Sequence, residues 1–352
     1  MNIALVVHDL HAHGGHSLYT KILADELSLR HDVSVFANQC ERPAGAGWDF
    51  RPVRAWRINS LSCVKTFPLG MLAQAKALDR FQIRHMQGYC GGRPNVVTAH
   101  RCMASYLQSL SALSLRHRVS LRIMLDAESR FYRNYEGTVI AISRQIANEL
   151  QEFYRIRGRI EIIPHGVDFQ RFKSANREPY RAAMRRRLGI NEDQLVALYV
   201  GDLTKAHLHL KQLSRAAPDI QLVIVSPSKS YHWRARNVRI FPLTKQIERY
   251  YAAADAFVFP SVNDPFGMVV LEAMASGLAV FSSDRAGAAE LIDSGRDGFV
   301  TPLDEWVETT ADSLRNRALL QKVGRAAEQS ALAHDWPSVI TAVEKLYFEV
   351  AA

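Results

Sequence analysis

Short apolar runs alternate with longer segments of helical spacing along most of the 352-residue chain. This alternation is typical of βα units, which stack into a parallel sheet covered by helices. In the first half it predicts a helix over residues 17–29 and strands over residues 3–7, 33–36, 95–98, 139–142 and 160–163. In the second half it predicts strands over residues 195–200, 222–225, 238–241, 256–259 and 279–282. We therefore predict an α/β protein.

A cluster of breakers, Pro164-His165-Gly166-Val167-Asp168, separates the two sets of strands. A chain of this length normally divides into two domains with separate cores. We predict a Rossmann-like domain over residues 1–165 and a second over residues 166–334. The remaining segment, residues 335–352, has apolar residues at helical spacing and is predicted to be a helix.

The run over residues 263–280 joins two carboxylates, a Pro-Phe-Gly turn, a short helix and a buried strand. The turn predicts that the helix begins near Phe266 or Gly267. A helix N-terminus offers free N–H groups and partial positive charge, which suit a diphosphate. Asp264 lies just before this end, and Glu272 lies eight residues later, roughly two turns on. Both carboxylates can then accept hydrogen bonds from sugar hydroxyls, so the run predicts a sugar-nucleotide site.

This run resembles the Glu-x7-Glu motif of the retaining glycosyltransferases of family 4, the glycosyl transferases group 1. Residues 251–261 upstream, and 289–292 with 297–300 downstream, are similar to the segments that flank the motif in that family. Asp264 stands where the family usually has Glu. The breaker cluster also resembles the family's hinge. The chain is thus similar to lipopolysaccharide core glucosyltransferases and phosphatidylinositol mannosyltransferases.

The resemblance implies a GT-B fold, with two Rossmann-like domains that face a central cleft. It also implies that the C-terminal helix, residues 335–352, packs back on the first domain. In this family the first domain binds the acceptor and the second binds the donor.

The resemblance further implies roles for residues of the second domain. Glu272 would hold the ribose of the donor. The transferred sugar would contact Asp264 and the backbone of Phe266, Gly267 and Met268. The segment over residues 200–206 resembles a motif whose Arg and Lys grip the diphosphate. Because Asp202 replaces that Arg, only Lys205 carries the role over, with Lys211 as a less favoured substitute.

In the first domain, Gly14 and Gly15 follow the first predicted strand, where glycine lets backbone amides approach a phosphate. The resemblance places them in the family's Gly-Gly loop. His100 ends a predicted strand, the edge at which open α/β sheets bind ligands. The family often has a histidine there, on the side of the donor sugar opposite Asp264. We therefore predict His100 and Asp264 as catalytic residues.

Metal ligands of known spacing are missing from the sequence. The histidines near Gly14 lack a cysteine or carboxylate that would complete a zinc set, and no Asp-x-Asp pair occurs. We therefore predict metal-independent transfer without a cofactor, from a UDP- or GDP-sugar donor.

Positive charge is concentrated in the first half of the chain. The 21 Lys and Arg up to Gly166 exceed 13 Asp and Glu, whereas the remainder has 23 against 22. Such a field attracts anionic acceptors or an anionic membrane face. No nucleic-acid module occurs, so nucleic acid is a poor partner. The first nine residues lack the features of a signal peptide, which favours a cytoplasmic protein, peripheral at most on the inner membrane face.

We predict a retaining glycosyltransferase that moves a hexose-type sugar to an acceptor hydroxyl, in glycolipid, lipopolysaccharide or other cell-envelope glycan synthesis. Two alternatives remain open. A GT-B sugar-nucleotide epimerase is disfavoured because such enzymes lack the Pro-Phe-Gly…Glu-Ala-Met-Ala run. A noncatalytic nucleotide-sugar-binding protein is suggested by Asp202 and Asp264, the two departures from the family pattern.

Overall fold

The computed structural model describes residues 1–11, 15–56, 60–108, 115–227, 233 and 235–352, with the backbone alone at 60–63 and 115–117. The chain divides into two compact units. Unit 1 comprises Met1–His165 together with Pro337–Ala352, and unit 2 comprises Gly166–Trp336. The predicted division placed the second boundary two residues earlier, after residue 334.

Unit 1 is built on a parallel sheet. Its strands are β1 (Asn2–Val6), β2 (Asp9–Leu10), β3 (Asp32–Ala37), β4 (Gln39–Cys40), β5 (Asp49–Pro52), β6 (Ile83–Gln87), β7 (Val96–Ala99), β8 (Thr138–Ala141) and β9 (Ile160–Ile162). Seven of them pair in the order β5-β3-β1-β6-β7-β8-β9, and β2 pairs with β4. Every pairing is parallel. In this register Leu5 of β1 lies opposite His85 of β6.

The described helices of the first 165 residues are α1 (Gly15–Leu27), α2 (Ser60–Ala73), α3 (Ala75–Leu78), α4 (Met103–Gln108), α5 (Leu115–Arg133) and α6 (Arg144–Tyr154). Ser143 begins α6 in the manner of a good N-cap, because its side chain accepts a hydrogen bond from the N–H of Ile146. Helix α1 begins and ends two residues before the predicted positions.

Unit 2 repeats the architecture with six strands. They are β10 (Val196–Val200), β11 (Gln221–Val225), β12 (Val238–Phe241), β13 (Ala256–Phe259), β14 (Ala279–Ser283) and β15 (Phe299–Thr301). They pair in parallel in the order β12-β11-β10-β13-β14-β15. The helices are α7 (Arg177–Leu188), α8 (His207–Ala216), α9 (Ile247–Ala253), α10 (Met268–Ala275), α11 (Trp306–Leu314) and α12 (Arg317–Ala331). The predicted α/β class, with two Rossmann-like parallel sheets, is confirmed.

The last helix, α13 (Trp336–Ala351), carries the chain back to unit 1. The buried Tyr347 places its hydroxyl 2.6 Å from Nδ1 of His85. The Glu344 carboxylate accepts two hydrogen bonds of 3.1 Å from Arg30. The N-terminal strands and the C-terminal helix therefore share one core.

The strand order fixes where ligands can bind. In both sheets the order reverses beside the first strand of the unit, between β1 and β6 in unit 1 and between β10 and β13 in unit 2. Ligands of open parallel sheets bind outside the carboxyl ends of the strands at such a switch point. No helix of the described residues is long and apolar enough to cross a membrane.

Three strands of the two main sheets were not predicted. Strand β6 has the sequence Ile-Arg-His-Met-Gln, whose polar residues obscure the apolar run expected of a buried parallel strand. Strand β5 is a largely exposed edge strand, and β15 is an edge strand of three residues. Short edge strands leave a weak pattern because they bury few side chains.

Candidate active site

The switch point of unit 2 brings Lys205 and Asp264 together. Lys205 lies in the loop after β10, and Asp264 lies in the loop after β13. The Lys205 ammonium Nζ donates to Oδ2 of Asp264 at 2.9 Å, and both side chains are partly exposed. The N–H of Val262 also donates to the carbonyl of Lys205 at 3.0 Å. A cation and a carboxylate therefore meet at the edge where a ligand is expected.

Backbone contacts hold Asp264 in place. Its N–H donates to the carbonyl of Arg285, and its own carbonyl accepts from the N–H of Gly287, both at 2.9 Å. The second carboxylate oxygen, Oδ1, accepts from the N–H of Phe266 at 3.3 Å. Asp264 thus connects Lys205 to the entrance of α10.

The N-terminus of α10 is shaped by Gly267. Gly267 has a φ of 86°, in the left-handed region that glycine adopts readily, and it caps a helix that begins at Met268. A Cβ at this position would lie 3.1 Å from the Phe259 ring, and Phe266 is buried. The N–H of Val270 donates to the carbonyl of Gly267 at 2.9 Å, whereas the N–H groups of Met268 and Val269 have no acceptor within the helix. Such free N–H groups suit an anion, and they lie next to the Asp264 and Lys205 pair.

Glu272, in the middle of α10, has a different partner. Its Oε2 accepts a 2.9 Å hydrogen bond from the hydroxyl of Tyr251, on α9. Burial raises the pKa of the Glu272 carboxyl, although the hydrogen bond from Tyr251 opposes this effect. Asp264 and Glu272 are thus supported by different side chains within unit 2.

Asp202, which replaces the arginine typical of the family, has a structural contact. Its Oδ1 accepts from the N–H of Thr204 at 3.0 Å and caps the short 3-10 turn Leu203–Lys205. The hydroxyl of Tyr199 donates to the carbonyl of Asp202 at 2.9 Å. The aspartate therefore shapes the turn that carries Lys205. Lys211, the less favoured substitute, lies on α8.

In unit 1, His100 directly follows β7 and is buried. Its Nε2 lies 2.8 Å from the amide oxygen Oε1 of Gln87. An amide oxygen only accepts hydrogen bonds, so His100 carries its proton on Nε2. Nδ1 is then an unprotonated acceptor, and it has no hydrogen-bond partner among the described residues.

Gln87 is oriented in turn by a chain of buried polar groups. Its amide nitrogen lies 3.4 Å from Nε2 of His85, which also lies 2.6 Å from the hydroxyl of Thr98. Since the Gln87 amide nitrogen can only donate, Nε2 of His85 is the acceptor, and the ring carries its proton on Nδ1 and donates to the hydroxyl of Tyr347. We call Tyr347, His85, Gln87 and His100 the histidine relay.

Aromatic rings surround His100. The ring centroid of His16 lies 4.1 Å away, that of Tyr19 5.3 Å and that of His165 5.4 Å. Burial lowers the pKa of both His16 and His165 to about 3. Burial, followed by repulsion from His16, lowers the pKa of His100 well below its usual range. These rings are therefore neutral near pH 7.

A cavity of about 780 Å³ opens at this edge of unit 1. Its lining includes His8 after β1, Gln87 at the end of β6, and His100 after β7. Gly15, the first residue of α1, also lines it, whereas Gly14 lies outside the described residues. The cavity therefore occupies the predicted ligand-binding edge. Within the described part of the chain, no group of three or more His, Cys, Asp or Glu could hold a metal ion.

Several site residues could not be recognised from the sequence. Gln87 and His85 lie on a strand that was not predicted, and His165 was interpreted only as part of the breaker cluster. Tyr251, the partner of Glu272, lies in a segment similar to the family's flanking region. For Tyr251, this similarity was a sequence signal. For Gln87, His85 and His165 the sequence offered none.

Two domain families match the chain. Residues 13–171 match the family described as Glycosyltransferase Family 4, and residues 194–318 match the family described as Glycosyl transferases group 1. A D-inositol 3-phosphate glycosyltransferase from Streptomyces avermitilis is 26% identical over 248 residues, which cover 59% of this chain and 51% of that protein. The match thus spans about half the length of this curated relative.

Solved structures share the fold across nearly the whole chain. WaaG, a glycosyltransferase involved in lipopolysaccharide biosynthesis, aligns with a TM-score of 0.81 at 19% identity, over 98% of this chain and 99% of its own. Anabaena HepE in complex with UDP-glucose aligns with a TM-score of 0.74 at 15% identity, over 99% of this chain and 100% of its own. The fold is therefore that of the GT-B proteins.

Proposed function

Since the chain belongs to the family 4, group 1 glycosyltransferases, we propose that it transfers a hexose-type sugar from a nucleotide-sugar donor to an acceptor hydroxyl. We propose that the anomeric configuration is retained and that no metal or other cofactor takes part. One observation carries the proposal. Lys205, Asp264 and the N-terminus of α10 meet at the switch point of unit 2.

These groups match the charges that develop when a nucleotide-sugar is cleaved. The leaving diphosphate is anionic, and Lys205 and the free N–H groups of α10 are positioned to stabilise it. In the structure Lys205 is paired with Asp264. On donor binding, the diphosphate replaces Asp264 as the partner of the Lys205 ammonium. Asp264 then accepts hydrogen bonds from hydroxyls of the transferred sugar. The backbone of Phe266, Gly267 and Met268 borders the same place.

Glu272 is assigned to the ribose. A carboxylate accepts from two neighbouring hydroxyls at once, and the Tyr251 hydroxyl supports one of its oxygens. The donor is a UDP- or GDP-sugar, and HepE, which has the same fold, is described in complex with UDP-glucose.

In unit 1, the unprotonated Nδ1 of His100 accepts a hydrogen bond from a sugar hydroxyl. The backbone amide of Gly15, at the start of α1, is assigned to the donor, and the predicted role of Gly14 is kept with it. No protein nucleophile is assigned. The acceptor hydroxyl attacks the face that the diphosphate leaves, and the protein contributes orientation and charge stabilisation.

The acceptor is proposed to be anionic, in glycolipid or lipopolysaccharide synthesis at the cytoplasmic face of a membrane. Support comes from the charge of the first half of the chain and from exposed arginines on α5, namely Arg118, Arg122, Arg130 and Arg133. Such a surface attracts anionic head groups. The relative from Streptomyces avermitilis is named for D-inositol 3-phosphate, which is anionic, and WaaG is described as involved in lipopolysaccharide biosynthesis.

The proposal is tested by incubating the full chain with a panel of UDP- and GDP-sugars, with and without lipid extract, in the presence of a chelator. Release of nucleoside diphosphate that requires extract, and a product with the donor's anomeric configuration by NMR, are expected. Lys205→Ala should abolish release, whereas the matched change Lys211→Ala on α8 should not. A donor isomerised without extract would identify an epimerase. Donor binding without turnover on any extract would identify a binding protein.

A further inference from the structure

The cavity of unit 1 has an apolar wall that sugar chemistry alone does not explain. Helices α2, α4 and α5 contribute Val64, Leu69, Met103, Leu121, Ile123 and Met124 to its lining. The volume of about 780 Å³ lies within the roughly 300–1,000 Å³ typical of small-molecule sites. Sugars bind through polar groups, so a hydrocarbon wall of this extent indicates an additional, apolar occupant.

The wall continues to the surface. Leu69 on α2 is 67% exposed and Ile123 on α5 is 53% exposed, so these lining residues mark the cavity opening. Leu72 and Val119, one helical turn away on the same two helices, are also exposed. Exposed apolar side chains that are grouped around a cavity opening mark a binding surface more often than isolated ones do.

The end of the cavity beside His100 is polar, and the side chains of Asp9 and Arg101 are part of the lining. His100 presents Nδ1 as a hydrogen-bond acceptor, which suits a hydroxyl group. The carboxylate of Glu128 also lines the cavity, but it accepts from the N–H of Met103 at 3.0 Å and from the hydroxyl of Tyr154 at 2.9 Å. The Glu128 carboxylate therefore already has two hydrogen-bond donors within unit 1. The cations near the cavity are Lys65, which donates to Ser120, and Arg101, which lies over the Tyr106 ring.

We propose that this cavity binds the apolar body of the acceptor, an alcohol that carries a hydrocarbon or aromatic group beside the hydroxyl to be glycosylated. The assignment of this ligand as the acceptor depends on the proposed transferase function. The binding itself does not. The apolar group enters between α2 and α5 past Leu69 and Ile123, and the hydroxyl group of the alcohol lies toward the polar end of the cavity.

Calorimetric titration of the full chain with n-alkyl β-glucosides, from ethyl to octyl and below their micelle concentrations, tests the proposal without any donor. Each methylene that enters the cavity should tighten binding about fourfold. Affinity that does not change with chain length would overturn it.

Two variants and a matched control locate the binding. Ala127→Trp on α5 should fill the cavity, and Met124→Glu should place a charge in the apolar wall. Each should remove the chain-length dependence. The control Ala183→Trp introduces the same side chain at an exposed position of α7, in unit 2, and should retain it. If the Ala127→Trp variant fails to fold, the Met124→Glu variant alone tests whether the alkyl chain binds in the cavity. Chain-length dependence that survives both changes would place the binding elsewhere and overturn the proposal.

A further arm distinguishes the two sources of such an alcohol. The full chain is sedimented with phosphatidylcholine vesicles that contain or lack dodecyl glucoside. Retention that requires the glucoside indicates a membrane-embedded acceptor, and chain-length dependence without retention indicates a soluble apolar alcohol. Loss of both results would overturn the cavity assignment. Absence of sugar transfer alongside normal alkyl binding would instead count against the proposed function.

Discussion

Oε1 of Gln87 lies 2.8 Å from Nε2 of His100, and this contact decides which ring nitrogen of His100 carries the proton. Gln87 is itself oriented by His85, which leaves the Nδ1 lone pair of His100 directed away from the relay. The relay makes His100 a neutral hydrogen-bond acceptor. A protonated His100 would need an acceptor beside Nδ1 as well. Gln87 is a positioning residue in the proposed reaction.

Replacing Gln87 tests this assignment. Gln87→Met removes the acceptor and leaves a buried ring N–H unpaired, which should cost about 1–3 kcal/mol of stability and lower kcat at least tenfold. Nitrogen NMR of the His100 ring should show loss of the single Nε2–H tautomer. Gln87→Glu keeps an oxygen acceptor but adds a charge, so it should retain the tautomer and raise the pKa of His100. A Met variant with an unchanged tautomer and kcat would remove Gln87 from the mechanism.

Changes at Asp264 should affect sugar transfer without affecting nucleotide binding. Asp264→Asn keeps the shape of the side chain but weakens acceptance from sugar hydroxyls, so turnover should fall while nucleoside diphosphate affinity stays nearly constant. Calorimetry with the diphosphate and steady-state kinetics provide the two readouts. Asp264→Glu, which gives the residue usual in the family, should retain activity. Equal losses of affinity and turnover in the Asn variant would show that the assigned role is wrong.

Glu272 should make nucleotide binding sensitive to pH. The ribose hydroxyls need the ionised carboxylate, and burial raises the pKa of Glu272 above its ordinary value of 4.5. Affinity should therefore decline as pH falls through this raised pKa. Glu272→Ala should cost about 1.5–3 kcal/mol of binding at neutral pH.

Two variants serve as controls for that pH dependence. Glu272→Gln, which cannot ionise, should bind weakly with no such dependence. Tyr251→Phe removes a hydrogen bond that favours the carboxylate, so it should move the decline to higher pH. A wild-type affinity that is flat down to pH 4 would contradict the assignment.

The buried histidines of unit 1 should make the protein sensitive to mild acid. Burial lowers the pKa of His8 to about 4 and that of His16, His85 and His165 to about 3, against 6.5 in the unfolded chain. The unfolded state therefore binds more protons as pH falls below 6.5, and stability is lost progressively from there toward pH 3. Each histidine contributes up to about 1.4 kcal/mol per pH unit.

Urea unfolding at a series of pH values measures this loss. Glu128 and Glu272, whose pKa values are raised, act in the opposite sense, because a protonated carboxyl favours the folded state at low pH. The histidines outnumber them, so a net fall is expected between pH 6.5 and 5. A constant free energy of unfolding over this interval would show that the cluster is accessible to protons in the folded state.

The exposed arginines of α5 should make membrane binding sensitive to salt. Sedimentation with anionic vesicles at low salt should retain the protein, and retention should fall at higher salt because the Debye length shortens to about 8 Å at physiological ionic strength. The double variant Arg118→Gln, Arg122→Gln should weaken retention, whereas Arg186→Gln, Arg187→Gln on α7 should not. Failure to sediment with anionic vesicles at low salt would leave a soluble acceptor as the remaining choice.

Sequence patterns predicted the fold because secondary structure follows local rules, whereas the donor-side residues stay a prediction. Most buried strands of both sheets are apolar runs, and the helix start at Met268 follows a Pro-Phe-Gly turn. Contacts between distant segments could not be predicted from the sequence. Neither the pairing of Lys205 with Asp264 nor the approach of Tyr347 to His85 leaves a pattern in the sequence. Strand β6 was missed because it buries His85 and Gln87, the residues on which the relay depends.

The return of α13 to unit 1 makes the histidine relay depend on a residue that follows unit 2 in the sequence. Tyr347 and His85 are 262 positions apart in the sequence and 2.6 Å apart in space. The protonation of His100 is therefore fixed only after Tyr347 has joined the core of unit 1. For a newly made polypeptide leaving the ribosome, unit 1 is finished only after all of unit 2 has been synthesised.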